Sequence, residues 1–167
     1  MLFWRFDGRS IFILGLMSDT PDSRKGDSKR RSPQNWPLDR LPGLRREDCQ
    51  ALERLGVRTT LELLDRTGRG DRTQALATQL GISTHYVRKW VALSDLARVP
   101  GVGCQYCGLL LHCGIISAAQ LSQTPIHKLY PQIQRLHVAT MQRKDLCPPR
   151  GQVLEWIQAA RPFGMRR

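Results

Sequence analysis

Acidic residues, β-patterned runs and long apolar segments are all scarce in this chain, and each scarcity closes off a class of protein. Only 14 Asp and Glu stand against 26 Lys and Arg in 167 residues, a formal net charge of +12 with a pI near 10.4. Such a balance draws a protein to polyanions: nucleic acid first, with an acidic protein partner, an anionic membrane face or a ribosome as alternatives. Alternation of apolar and polar positions rich in β-branched residues is absent throughout, which argues against strands. The apolar stretch Ile11 to Met17 is far too short to span a bilayer, and it has neither a basic leader nor a small-residue cleavage site. No membrane span is expected, and translation starting at Met17 is the simplest account of that stretch.

Catalytic signatures are missing too. There is no P-loop, no dinucleotide fingerprint and no paired acid/base arrangement of carboxylates. The histidines His85, His112, His127 and His137 show no i, i+4 ligand spacing. The chain reads as non-enzymatic and without a cofactor. Five cysteines, an odd number at irregular spacings, fit reduced thiols in a cytoplasmic protein better than a disulfide framework.

What is there begins with a duplication. Leu38-Asp39-Arg40-Leu41-Pro42-Gly43-Leu44 returns 58 positions later as Leu96-Ala97-Arg98-Val99-Pro100-Gly101-Val102, and at the same offset Cys49 falls on Cys107, Leu52 on Leu110, Gly56 on Gly114 and Leu63 on Leu121. Each copy reads as a helix, a tight Pro-Gly turn and a second helix. In the first copy Cys49, Leu52 and Leu55 keep helical spacing, so Glu47 to Leu55 should be a helix stopped by Gly56. Thr59 with Glu62, and Ser117 with Gln120, are matching capping boxes for the helix that follows in each copy.

Further helical material follows each copy. Ala75 to Leu80 should end at Gly81, and Val87, Trp90, Val91, Ser94 and Ala97 line one face of a longer helix leading into the second turn. Pro131 is expected at a first helical turn, Pro148-Pro149 closes that segment, and a last helix over about Gly151 to Ala160 carries Val153, Trp156 and Ile157. The two tryptophans at matching places are core anchors.

The expected architecture is therefore all-α: duplicated units of about sixty residues, near 36–95 and 96–162, forming one pseudo-two-fold helical domain over 36–165. Residues 1–35 are polar and basic, with the run Lys29-Arg30-Arg31, and should form a disordered basic tail.

These residues support a family statement. Val99-Pro100-Gly101-Val102-Gly103 with Leu110 and Gly114-Ile115, and Leu41-Pro42-Gly43-Leu44 with Leu52 and Gly56-Val57, resemble helix-hairpin-helix motifs. Together with Trp90-Val91-Ala92-Leu93 and Asp145-Leu146-Cys147-Pro148, the arrangement resembles a bacterial, mainly cyanobacterial, family, the domain of unknown function 4332. That resemblance is specific for the fold and carries no settled function.

The hairpin itself suggests a chemistry. Gly101 and Gly103 remove side chains from the turn, so the amides of Val102, Gly103 and Cys104 are expected to point outward at a helix start, where a phosphate oxygen fits. The same turn also serves simply to join two antiparallel helices. In the first copy Arg45 stands where the second glycine would be, and its guanidinium can replace an amide contact. Candidate contacts to a nucleic-acid backbone are thus Arg40, Gly43, Leu44, Arg45, Arg46, Arg98, Gly101, Val102, Gly103 and Cys104. Binding of this kind, to duplex DNA foremost, is tolerant of sequence and weakened by salt. A helical adaptor for an acidic protein partner is the alternative.

A hairpin glycosylase needs a lysine near the turn or an aspartate about twenty residues on, and between Gly103 and Pro131 there is no aspartate and only Lys128. Cys104-Gln105-Tyr106-Cys107 has the two-residue gap of zinc and iron–sulfur sites, with His112, Cys113 and Cys147 as further ligands. Cys107 matches Cys49, which has no ligand neighbours, so buried or free thiols are the leading expectation, a metal or cluster the second and a redox dithiol the third.

Overall fold

The computed structural model describes residues 32–68, 70–141 and 147–164. The expected tail therefore lies outside the described residues up to 31, and so does the Asp145-Leu146 part of the late motif. Among the described residues the chain is all-α. A single turn of 3-10 helix at Leu38–Arg40 precedes α1 (Arg46–Arg54), α2 (Thr60–Thr67), α3 (Gly70–Leu80), α4 (Thr84–Ala97), α5 (Gly103–His112), α6 (Ala118–Gln123), α7 (Ile126–Met141) and α8 (Arg150–Gly164).

Local chemistry explains the boundaries. Gly56 and Gly114 close α1 and α5 with φ of 79° and 80°, and Gly81 closes α3 with φ 66°, a conformation that costs a residue with a Cβ about 1–2 kcal/mol. Thr59 forms a complete capping box: its hydroxyl accepts from the Glu62 amide, and the Glu62 carboxylate accepts from Thr59 N–H at 3.1 Å and Arg58 N–H at 2.7 Å. Ser117 accepts from the Gln120 amide at 3.1 Å, and the Gln120 carboxamide accepts from Ile116 N–H and donates to Gly114 O. Only the first is a complete capping box, because the Gln120 carboxamide takes the Ile116 N–H and not that of Ser117.

Pro131 departs from expectation. It sits in the second turn of α7, because the helix already starts at Ile126 with Pro125 O accepting from Lys128 and Leu129. One backbone bond is forgone there, and the apolar face carrying the buried Leu129 and Ile133 holds the helix across it.

Packing follows the apolar stripes. α2 and α3 both pack on α4, and α6 and α7 both pack on α8, while α4 also packs against α5. Val87, Trp90, Leu93, Leu96 and Ala97 of α4 and Val153, Trp156, Ile157, Ala160 and Phe163 of α8 enter one continuous core. Trp90 and Trp156 are each 1% exposed, and burying an indole is worth about 4–6 kcal/mol by area as an upper bound. Both indole N–H groups, with Ser94 Oγ, lack a hydrogen-bond partner among the described residues, a cost of about 1–3 kcal/mol each. Apolar burial wins, so both tryptophans act as core anchors.

The segment before α1 belongs to the fold from residue 34, although composition groups Gln34 and Asn35 with the tail. Gln34 N–H donates to Arg98 O at 2.9 Å, and Asn35 Oδ1 accepts from Leu61 N–H at 3.2 Å. Trp36 is pinned three ways: Thr60 N–H donates to its carbonyl at 2.8 Å, its own N–H donates to Thr60 Oγ1 at 3.1 Å, and its indole N–H donates to Ala97 O at 3.1 Å.

Candidate functional site

The second Pro-Gly turn, residues 99–103, is built between two indoles. Gly101 (φ 85°) lies so close to α8 that a Cβ would stand 3.2 Å from Trp156 Cδ1, and Gly103 (φ 54°) lies so close to Trp36 that a Cβ would stand 3.0 Å from its Cζ2. Tyr106 lies against Trp156 with ring centroids 4.7 Å apart and the planes tilted by 40°. The glycines here serve close packing as well as backbone freedom.

That packing decides which amides are available. Val102 and Gly103 are buried, and both N–H groups turn back onto Val99 O, at 3.1 and 3.4 Å. They do not point outward as expected, because the turn closes on its own carbonyl. The N–H groups of Cys104 and Gln105, in the first turn of α5, meet no acceptor among the described residues. No acidic residue lies in that first turn. Above these amides is a cleft of about 520 Å³ lined by Gln34, Trp36, Arg40 and residues 101–105. Arg40, from the 3-10 turn of the first copy, shares that lining, and its charge acts on Cys104.

The first turn, residues 41–45, differs. Gly43 (φ 77°) is exposed, and what a Cβ would approach is the end of a side chain, Lys89 Nζ at 3.2 Å. Leu44 N–H returns to Leu41 O, and Leu44 packs partly on the core. Arg45 and Arg46 are exposed, but Glu47 and Asp48 occupy the first turn of α1 and compete with any anion for its amides. Burial lowers the Lys89 pKa, and burial followed by the Lys89 charge lowers that of His112.

Arg98 is committed elsewhere. Its guanidinium pairs with Asp95 and lies 5.0 Å over the Phe163 ring, and Asp95 also accepts from Ala118 N–H at 2.7 Å. Since Arg98 Nε is buried without a partner, this side chain links α4, α6 and α8 and does not reach out as a phosphate contact. Of the expected contacts, Arg40, Gly101, Val102, Gly103 and Cys104 come together at the cleft, the N–H groups of Val102 and Gly103 being turned inward, while Gly43, Leu44, Arg45 and Arg46 lie at the other turn. Gln34, Trp36, Gln105 and Lys89 were missed in the sequence: the first two sat in or beside apparent tail, and Lys89 reaches Gly43 from 46 residues away.

Burial raises the pKa of the thiols. Burial pushes Cys104 up to about 11, Cys113 to about 11 and Cys107 to about 12, the last aided by the neighbouring Cys104, while Arg40 pulls Cys104 the other way. Cys107 donates to Cys104 O at 3.5 Å, an ordinary helical thiol bond. Protonated thiols are poor nucleophiles and poor ligands until deprotonated. Among the described residues no three His, Cys, Asp or Glu side chains gather in a metal-binding group, and no helix is long and apolar enough to cross a membrane.

Among the described residues the chain is all-helical, and the 3-10 turn carrying Arg40 shares the lining of one cleft with the start of α5. The chain belongs to the family described as Domain of unknown function (DUF4332), whose model matches residues 42–163. The match begins after Gln34, Trp36 and Arg40, so one wall of the cleft comes from outside it. No curated protein and no solved structure matches the chain.

Proposed function

We propose that this protein is a non-enzymatic nucleic-acid-binding module that holds the phosphate backbone, duplex DNA foremost, with little dependence on sequence. In this reading the two Pro-Gly turns are duplicated helix-hairpin-helix units related by a pseudo-two-fold. The observation that carries it is the cleft whose lining Arg40 shares with the unbonded amides of Cys104 and Gln105, in a chain of net charge +12. Amides at a helix start and a guanidinium in the same cleft suit a phosphate oxygen without any further donor. The second turn is the principal contact, and Arg45, Arg46 and Lys89 at the first turn add charge.

Binding to random-sequence duplex DNA, followed by fluorescence anisotropy across a salt series, tests it. The logarithm of affinity should fall linearly with the logarithm of salt, and Arg40→Gln should reduce the slope by about one contact. Gln105→Glu places a carboxylate among the open amides, favourable for the helix and repulsive to phosphate, so affinity should drop about tenfold with the circular dichroism unchanged. Absent binding by a folded protein would sink the reading and leave the acidic-partner adaptor in its place. Glycine substitutions in the second turn are poor probes, since they strike Trp36 and Trp156 first.

A further inference from the structure

The cleft over the second turn carries more than a backbone phosphate requires. Cations and amides suffice for that contact, yet Trp36 and two carboxamides, Gln34 and Gln105, share the lining with Arg40 and the α5 amides. The indole N–H donates to Ala97 O, and the Trp36 main chain exchanges two bonds with Thr60, so the ring loses little freedom when something packs against it. Carboxamides both donate and accept, which suits the edge of a base. The cleft is an open one of about 520 Å³, more than one phosphate oxygen fills.

We infer that the cleft seats one nucleotide unit: its phosphate on the Cys104 and Gln105 amides and Arg40, its base against Trp36 with Gln34 and Gln105 at the base edge. The nucleotide is an unpaired one at a DNA strand end. In a duplex both faces of a base are stacked and its pairing edge is occupied, so only an unpaired base enters such a site. A polynucleotide is favoured over a free nucleotide by the net charge of +12 and by exposed Arg45 and Arg46 at the other turn, which a single small ligand in the cleft does not use. The inference rests on the nucleic-acid reading above.

The full chain is titrated by anisotropy against a short blunt duplex and the same duplex bearing an unpaired overhang, at one salt concentration, with a free mononucleotide as competitor. The overhang should bind about tenfold more tightly than the blunt end, and Gln34→Ala should bring that ratio towards unity. Because the Trp36 ring also covers Gly103, that position is tested as Trp36→Phe, with the fold checked by circular dichroism; the ratio should fall there too. Equal affinity for blunt and overhanging duplexes overturns the unpaired-nucleotide site while leaving duplex binding intact. Displacement of the overhang by an equal concentration of free mononucleotide overturns the strand-end source. Failure of every DNA probe to bind overturns the underlying reading as well.

Discussion

The two Pro-Gly turns are near-copies in sequence and unlike in surroundings. At the first, Gly43 faces the tip of Lys89 and the helix that follows opens with Glu47 and Asp48; at the second, Gly101 and Gly103 lie against Trp156 and Trp36, and α5 opens without a carboxylate. At the first turn the glycine borders a lysine tip, whereas at the second both glycines border indoles, although Gly101 stays exposed. The difference teaches that a repeated motif fixes the path of the backbone, while the neighbours supplied by the rest of the chain decide whether its amides are usable.

Substitution of the glycines should break that comparison most visibly. Gly103→Ala meets both a positive φ and the Trp36 ring at 3.0 Å, and should cost about 2–4 kcal/mol. Gly43→Ala meets only the φ term and a lysine tip that can move, about 1–2 kcal/mol. Urea unfolding of the two variants measures the gap, and equal losses would mean that the second turn is not packed as described.

Charge reversal sharpens the functional side. Gln105→Glu in the second turn should weaken DNA binding about tenfold, whereas Gln50→Glu, on an exposed position of α1 beyond the first turn, should change it by less than about twofold. A larger effect at Gln50 would make the first turn the principal contact.

A smaller contrast separates the two caps. The Glu62 carboxyl is held below its ordinary range, first by the Arg58 N–H and then by the Thr59 N–H and hydroxyl. A depressed carboxyl adds stability that is complete above its unfolded pKa and disappears as pH falls through the folded one. Amide exchange at the start of α2 should therefore quicken below the carboxylate range, while the start of α6, capped through the neutral Gln120, should not respond. Equal acid sensitivity at both would show that Glu62 is not the titrating group.

The least effect is expected at the thiols. With Cys104 near 11, alkylation by iodoacetamide at mildly alkaline pH should be far slower in the folded protein than in urea. Rapid labelling of Cys104 in the folded state would contradict its raised pKa.

Much of the fold was legible because its signals are local. Thr59 and Ser117 announce their helices within three residues, Gly56 and Gly114 stop theirs in place, and the Trp90 and Trp156 stripes repeat at helical spacing. The candidate site was legible only in part. The turn itself could be read, but the inward bonds of Val102 and Gly103 depend on how tightly the turn closes, and the Arg98 pair with Asp95 depends on α6 and α8 arriving beside it. Gln34 and Trp36 looked like the end of a polar tail because their partners, Arg98 and Ala97, are more than sixty residues downstream. Pro131 was misplaced for a related reason: a proline marks a helix start by habit, and only the Leu129 and Ile133 packing reveals a turn before it.

α4 touches α2, α3 and α5 at once, closing one half of the molecule while opening the other. Neither half owns it. A cut anywhere along Thr84–Ala97 would strip both sides of a wall, so melting should spread through the whole assembly as one event, and a piece ending before this helix should not hold together by itself.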